Sequence, residues 1–244
     1  MSGHSHAKTV KATKDANAAV KGKIFSKMAR LISLAAKEGG SLEFNAKLKS
    51  AVETAKKFNM PKDNIERALK KGTGELEGEK LESIMVEILG HGGINIIVEG
   101  ITDNKNRAMS EIKQIAQKRG YKLANEGSLK WQFEQMGIIT TTSIEEVKKE
   151  SIEMTAIESG ALDLTWQTDE DNQSYLEITT KPEELAIVKK FLEDAGLTLE
   201  SSDLGWIAKE EIQPTESDKK IAENLFNDLN ESDSVQNVYS NLAN

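Results

Sequence analysis

The chain has 244 residues, 38% of them apolar, and contains no cysteine. That length and apolar content suffice for two or three compact cores, while the missing thiols exclude disulfides, thiolate metal sites and cysteine nucleophiles and fit a reducing, cytoplasmic setting. The net charge of −8 hides a segregation: residues 1–74 carry 16 Lys and Arg against 6 Asp and Glu, a balance of +10, and the other 170 residues carry 16 against 34, a balance of −18. A basic segment joined to an acidic remainder points to contact with a polyanion through one end of the chain.

In chain order, residues 1–20 are polar and lysine-bearing without apolar periodicity and are expected to form a flexible basic arm carrying Lys8, Lys11 and Lys14. Residues 21–76 are expected to form a basic helical bundle. Its first helix places Ile24, Met28, Leu31 and Ala35 on one apolar stripe, with Phe25 and Ile32 beside it. A single-stripe helix turns its other side to solvent, which puts Lys23, Lys27, Arg30 and Lys37 there, with Lys21 just before them. Gly39 and Gly40 end it. The second helix, about Asn45 to Phe58, buries Leu48, Val52 and Ala55 and presents Lys47, Lys49, Lys56 and Lys57. The third follows Pro61, with Lys62 and Asp63 in its first turn, Lys70 and Lys71 in its last, and Gly72 as the expected stop.

After a glycine-bearing segment, Gly72 to Gly78, the pattern turns to strands. Ser83–Leu89 and Ile94–Ile101 flank the turn Gly90-His91-Gly92-Gly93, Asn104–Arg119 reads as a helix and Leu129–Phe133 as a strand. Then come Gly137–Thr142 (strand), Ile144–Glu158 (helix), Leu162–Gln167 and Tyr175–Thr180 (strands), Pro182–Ala195 (helix) and Leu197–Ser202 (strand). That order, βαββαβ, is the ferredoxin-like motif. The tail offers a helix around Lys219–Leu229 and a short Val235–Tyr239 segment too small to fold alone, so it is expected to return to the middle domain. The expected class is multidomain, α and α+β: a helical bundle, a discontinuous α/β middle domain (77–135 plus 206–244) and a ferredoxin-like insertion (136–205).

Catalytic chemistry finds little support. His4, His6 and His91 are too few and too scattered for a zinc site, and Gly72 to Gly78 follows a helix and precedes a strand without a Walker lysine, the reverse of a phosphate loop. No cofactor, metal or small-molecule substrate is expected, and no apolar run reaches the roughly 18 residues of a membrane span. The partner expected for residues 1–74 is DNA or structured RNA, the ribosome included, held by its phosphate backbone. Phe25, Phe44 and Phe58 are the aromatic residues of the bundle, and Phe25 and Phe58 lie at apolar-stripe positions, so no exposed stacking platform for unpaired bases is expected there.

Several blocks resemble one family across nearly the whole chain: Ser2-Gly3-His4-Ser5, Lys21-Gly22-Lys23-Ile24-Phe25, Asn59 through Ala68 with Gly72-Thr73-Gly74, Thr102 through Arg107, Gly127-Ser128, Ala156 through Ala161 and Val235 through Tyr239. This is the YebC/PmpR family, which includes the mitochondrial translational activator of cytochrome c oxidase subunit I. The resemblance implies three domains and a DNA-binding transcriptional regulator; other members act in translation on the ribosome. It also singles out Lys105 and Arg107, a basic pair inside a matching block of an acidic region, as a second phosphate contact, with Asp103 or Asn104 as a helix cap. Where the family has Gly-Pro-Gly-Gly, this chain has Gly90-His91-Gly92-Gly93.

Overall fold

A computed structural model describes residues 18–168 and 172–243, which form two compact units. The first comprises the described residues through Gln132 together with those from Ala208; the second is Phe133–Ile207.

The first unit begins with three helices, α1 (Ala18–Ala36), α2 (Ala46–Lys57) and α3 (Lys62–Thr73). Ile24, Met28, Ile32 and Ala35 of α1 meet Leu48, Val52 and Ala55 of α2 and Ile65 and Ala68 of α3 in one buried cluster, the arrangement that a stripe at helical period dictates. The amide of Asn45 caps α2 by accepting from Leu48 N at 3.0 Å.

Gly72 is not the stop of α3 but lies inside it, at the closest approach of α1. A Cβ there would sit 2.3 Å from Ser33 O and 2.5 Å from the Ala36 Cβ, and Ser33 Oγ donates to Ala68 O at 2.7 Å one turn away. The helix ends instead at Gly74, whose φ of 83° is the left-handed cap conformation that glycine adopts without strain. Gly72→Ala is therefore expected to destabilise this unit by about 1–3 kcal/mol through overpacking, measured by thermal unfolding; an unchanged midpoint would contradict the packing described.

The sheet of the first unit contains β1 (Glu82–Leu89), β2 (Asn95–Thr102), β3 (Lys122–Leu123) and β8 (Val235–Ser240) in the order β3-β1-β2-β8. Helix α4 (Lys105–Lys118) leads from β2 to β3, and α7 (Glu216–Asn230) leads into β8. Both helices cover one face, where Ala108, Ile112, Ala116, Ala222, Leu225 and Leu229 pack on Ile84, Val86, Ile88, Ile96, Val98 and Val238. The short β8 gains its core from β2 and α7, which explains why a six-residue strand holds at the end of the chain.

The second unit runs β4 (Phe133–Thr141), α5 (Lys149–Glu158), β5 (Asp163–Thr168), β6 (Ser174–Thr180), α6 (Leu185–Asp194) and β7 (Leu199–Ala208), with sheet order β5-β6-β4-β7. This is the ferredoxin-like arrangement. Its core is Ile139, Leu176, Ile178, Leu199, Ala156, Val188 and Leu192. Each sheet thus has two inner strands joined antiparallel, two outer strands and two helices on one face, although the chain visits the strands in different orders.

Two sequence expectations change here, and one short strand was not anticipated. Leu129–Phe133 is not a strand: Lys130–Gln132 make a tight helical turn and β4 starts at Phe133, absorbing the strand expected at Gly137. The two-residue β3 carries too little pattern to be read from sequence. The strand expected at Leu197–Ser202 continues as β7 to Ala208.

The 127–130 loop is fastened from below by Glu87, 4% exposed, whose carboxylate accepts from the amides of Gly127, Leu129 and Lys130 at 2.5, 2.5 and 3.1 Å. Three amide donors satisfy the buried charge. Glu87→Ala should free these amides, raising their hydrogen exchange well above that of β1 and β2; equal protection in the variant would contradict this role.

Candidate nucleic-acid interface

The basic residues of the bundle fall into two groups. Helix α1 is not a single-stripe helix. Its second side packs on the turn between α7 and β8, where Lys23 pairs with Glu231, Lys27 Nζ donates to Asn230 O at 2.7 Å and Arg30 donates to Asp233 O. Lys27 is only 6% exposed. Burial pushes its ammonium down to about 8, against the opposing pull of Asp233 and Glu231, whereas the hydrogen bond that Lys23 donates to the Glu231 carboxylate raises Lys23. Gln236 Nε2 reaches Lys27 O at 3.5 Å, and Lys37 donates to Leu81 O. The expectation that these cations face solvent is corrected for Lys27, which is buried, and in part for Arg30, which is half-buried; Lys23 and Lys37 are exposed as expected, but each is engaged by a group of the chain itself. The partners of Lys23, Lys27 and Arg30 are a carboxylate and two carbonyls some 200 residues away in sequence, which no local periodicity encodes.

The second group stays outside. Lys47, Lys49, Lys56 and Lys57 on α2 and Lys62, Arg67, Lys70 and Lys71 on α3 are all exposed, as is Lys21 at the start of α1. Lys62 lies 3.6 Å from Glu66 and Lys47 2.8 Å from Glu38, both exposed pairs of small energetic weight. Because the inner sides of α2 and α3 are spent on the core, their polar sides form the basic surface of the unit. Lys47, Lys49, Lys56 and Lys57 lie on the outer side of α2 as the sequence pattern places them, whereas Arg67 was not named from sequence, although the 3.6-residue period puts it on the polar face of α3.

In the middle sheet, Asn104 caps α4 by accepting from Arg107 N at 3.1 Å, and the Arg107 guanidinium pairs with Asp103. Lys105 is exposed on the same turn. Arg107 is thus tied to a neighbouring carboxylate and Lys105 alone presents an uncompensated charge at that block. Lys8, Lys11 and Lys14 lie outside the described residues. Among the described residues no group of three His, Cys, Asp or Glu side chains could hold a metal ion, and no helix is long and apolar enough to cross a membrane.

Known proteins place this geometry. The family model for the TACO1/YebC protein N-terminal domain matches residues 5–75, and that for the TACO1/YebC second and third domain matches residues 81–242. The chain belongs to the TACO1/YebC family. Among relatives, a probable transcriptional regulatory protein of Caldanaerobacter subterraneus subsp. tengcongensis is 41% identical over 243 residues, covering 99% of this chain and 98% of that protein. Another probable transcriptional regulatory protein, from Thermotoga maritima, is 40% identical with 99% and 94% covered. The crystal structure of a conserved hypothetical protein from Aquifex aeolicus superposes with a TM-score of 0.84 at 40% identity, covering 93% of this chain and 91% of that one. The TACO1/YebC N-terminal match is therefore the basic bundle, and the second match spans the two sheets.

Proposed function

We propose that this TACO1/YebC protein is a cytoplasmic, non-enzymatic regulator of gene expression that binds the phosphate backbone of DNA or structured RNA through the outer faces of α2 and α3. The observation that carries this reading is the division of cations in the bundle: Lys23, Lys27 and Arg30 of α1 are tied to the turn at Asn230–Asp233, and the α2 and α3 set is left exposed. Like charges gathered on one small surface repel unless an anionic partner is present. Lysine-rich helix faces suit phosphate positioning rather than base reading, which relies on bidentate Arg, Asn or Gln at groove edges. The relatives' names, probable transcriptional regulatory proteins, support a regulatory role and favour DNA as the first target to test. Binding to ribosomal RNA is the second reading, since a backbone contact does not distinguish the two polyanions.

The test is a binding titration of the full chain with duplex DNA and with a folded RNA at several salt concentrations. The full chain is needed because α1 is anchored on the α7–β8 turn. With about six phosphates neutralised, log affinity should fall against log salt with a slope near −5 for the duplex. A flat salt response would overturn the assignment.

A further inference from the structure

The loop between α1 and α2 carries the most exposed aromatic side chain in the bundle. Phe44 is 84% exposed and Leu42, two residues before it, is 40% exposed, so both leave apolar surface in water with no return from their own core. The loop that presents them is pinned. Asn45 is buried, its Nδ2 donates to Ala35 O at 2.8 Å and Gly39 O at 2.7 Å, its Oδ1 accepts from Leu48 N at 3.0 Å, and its backbone N donates to Ser41 O at 3.0 Å. One side chain thereby ties the end of α1, the loop and the first turn of α2 together. The nearby carboxylate of Glu38 is neutralised by Lys47, leaving Glu43 as the acidic residue of the loop and Lys49 exposed on the adjoining turn. A solvent-facing ring on a pinned loop beside a basic helix face has the elements of a base-stacking platform, an apolar surface for the base and cations for its phosphates.

We infer that Phe44, with Leu42 beside it, stacks the face of an unpaired base while the backbone around that base lies on α2 and α3. The inference rests on the proposed nucleic-acid interface and narrows its substrate to molecules with a bulged, looped or melted nucleotide. The exposure of Phe44 corrects the expectation that the bundle shows no exposed aromatic: the residue lies between helices, where no apolar stripe tells whether a side chain turns in or out.

The test uses the full chain with four probes: a blunt RNA duplex, the same duplex with a three-nucleotide bulge, and the two DNA counterparts. The unmodified chain should prefer a bulged probe over its blunt form. Phe44→Ala should lose about 5- to 100-fold on the bulged probe, the weight of one stacked base, while its blunt-duplex affinity and salt slope stay unchanged. Phe44→Trp should retain binding and show fluorescence quenching on the bulged probe alone. Loss on bulged RNA, bulged DNA or both supports the inference and tells which sugar the site accepts. Equal loss on blunt and bulged probes, as an intercalating wedge would give, or no loss on any probe, as a protein-docking role for Phe44 would give, overturns it. Circular dichroism checks that each variant folds. If the unmodified chain binds none of the four, the interface itself fails, an outcome distinct from a silent Phe44→Ala.

Discussion

Replacing Lys27 by Glu is expected to destabilise the first unit by about 3–5 kcal/mol, the range for leaving a buried charge without its partner. Lys27 is 6% exposed, donates to Asn230 O and sits among Glu231, Asp233, Lys23 and Arg30. A carboxylate there would face a carbonyl and two acids. Thermal unfolding should show a large fall in midpoint, whereas Lys49→Glu on the exposed face of α2 should stay within about 0.5 kcal/mol. Equal effects for the two substitutions would mean that α1 is not anchored on the α7–β8 turn. Charge reversal at Lys23, Lys27 and Arg30 is accordingly a poor probe of nucleic-acid contact, since it attacks the fold first.

The same site predicts a pH dependence. The Lys27 ammonium titrates at about 8 in the folded chain against its ordinary 10.5, so between these values the unfolded state binds more protons and stability rises with pH. The slope is at most about 1.4 kcal/mol per pH unit. Tyr121, pushed up to about 12 by burial and Asp218, acts with the opposite sign above pH 10, so the window to measure is pH 8 to 10. Lys27→Met should abolish the rise there; an unchanged slope in that variant would contradict the burial.

On the proposed interface the largest effect belongs to Lys49, Lys56, Arg67 and Lys70 together. Each neutralised phosphate is worth about 0.9 log unit per tenfold change in salt. Reversing all four to Glu should thus lower affinity roughly a thousandfold or more at 0.1 M salt, with the thermal midpoint little moved because all four are exposed. Affinity within threefold of the unmodified chain would remove α2 and α3 from the interface.

Local order was legible wherever one period governs one element. The stripe through Ile24, Met28 and Ile32 announces α1, and the βαββαβ order announces the ferredoxin-like unit. What sequence could not show depends on distant neighbours. Lys27 lies on the polar side of a well-formed stripe, and only the turn at Asn230–Asp233 turns that side inward. Gly72 reads as a helix stop because glycine commonly is one, yet it serves the approach of Ser33 and Ala36 on another helix. Alternating apolar residues at Leu129–Phe133 resemble a strand, but the amides of Leu129 and Lys130 are taken by Glu87, which commits the chain to a turn. Of the candidate contacts, Lys21, Lys62, Lys70, Lys71 and Lys105 remain exposed, whereas Lys23, Lys27, Arg30 and Arg107 are held by groups of the chain itself.

Lysine acetylation footprinting of the full chain, free and bound to duplex DNA or a folded RNA, shows whether nucleic acid lies on α2 and α3. Each exposed amine reacts at a rate that falls when a phosphate covers it, and mass spectrometry reads every lysine in one experiment. Protection on binding is expected at Lys49, Lys56, Lys70 and Lys71, with Lys27 slow in both states and Lys148, Lys181 and Lys190 of the second unit unchanged. Protection confined to Lys148, Lys181 and Lys190, with the α2 and α3 lysines reacting as in the free chain, would contradict that placement.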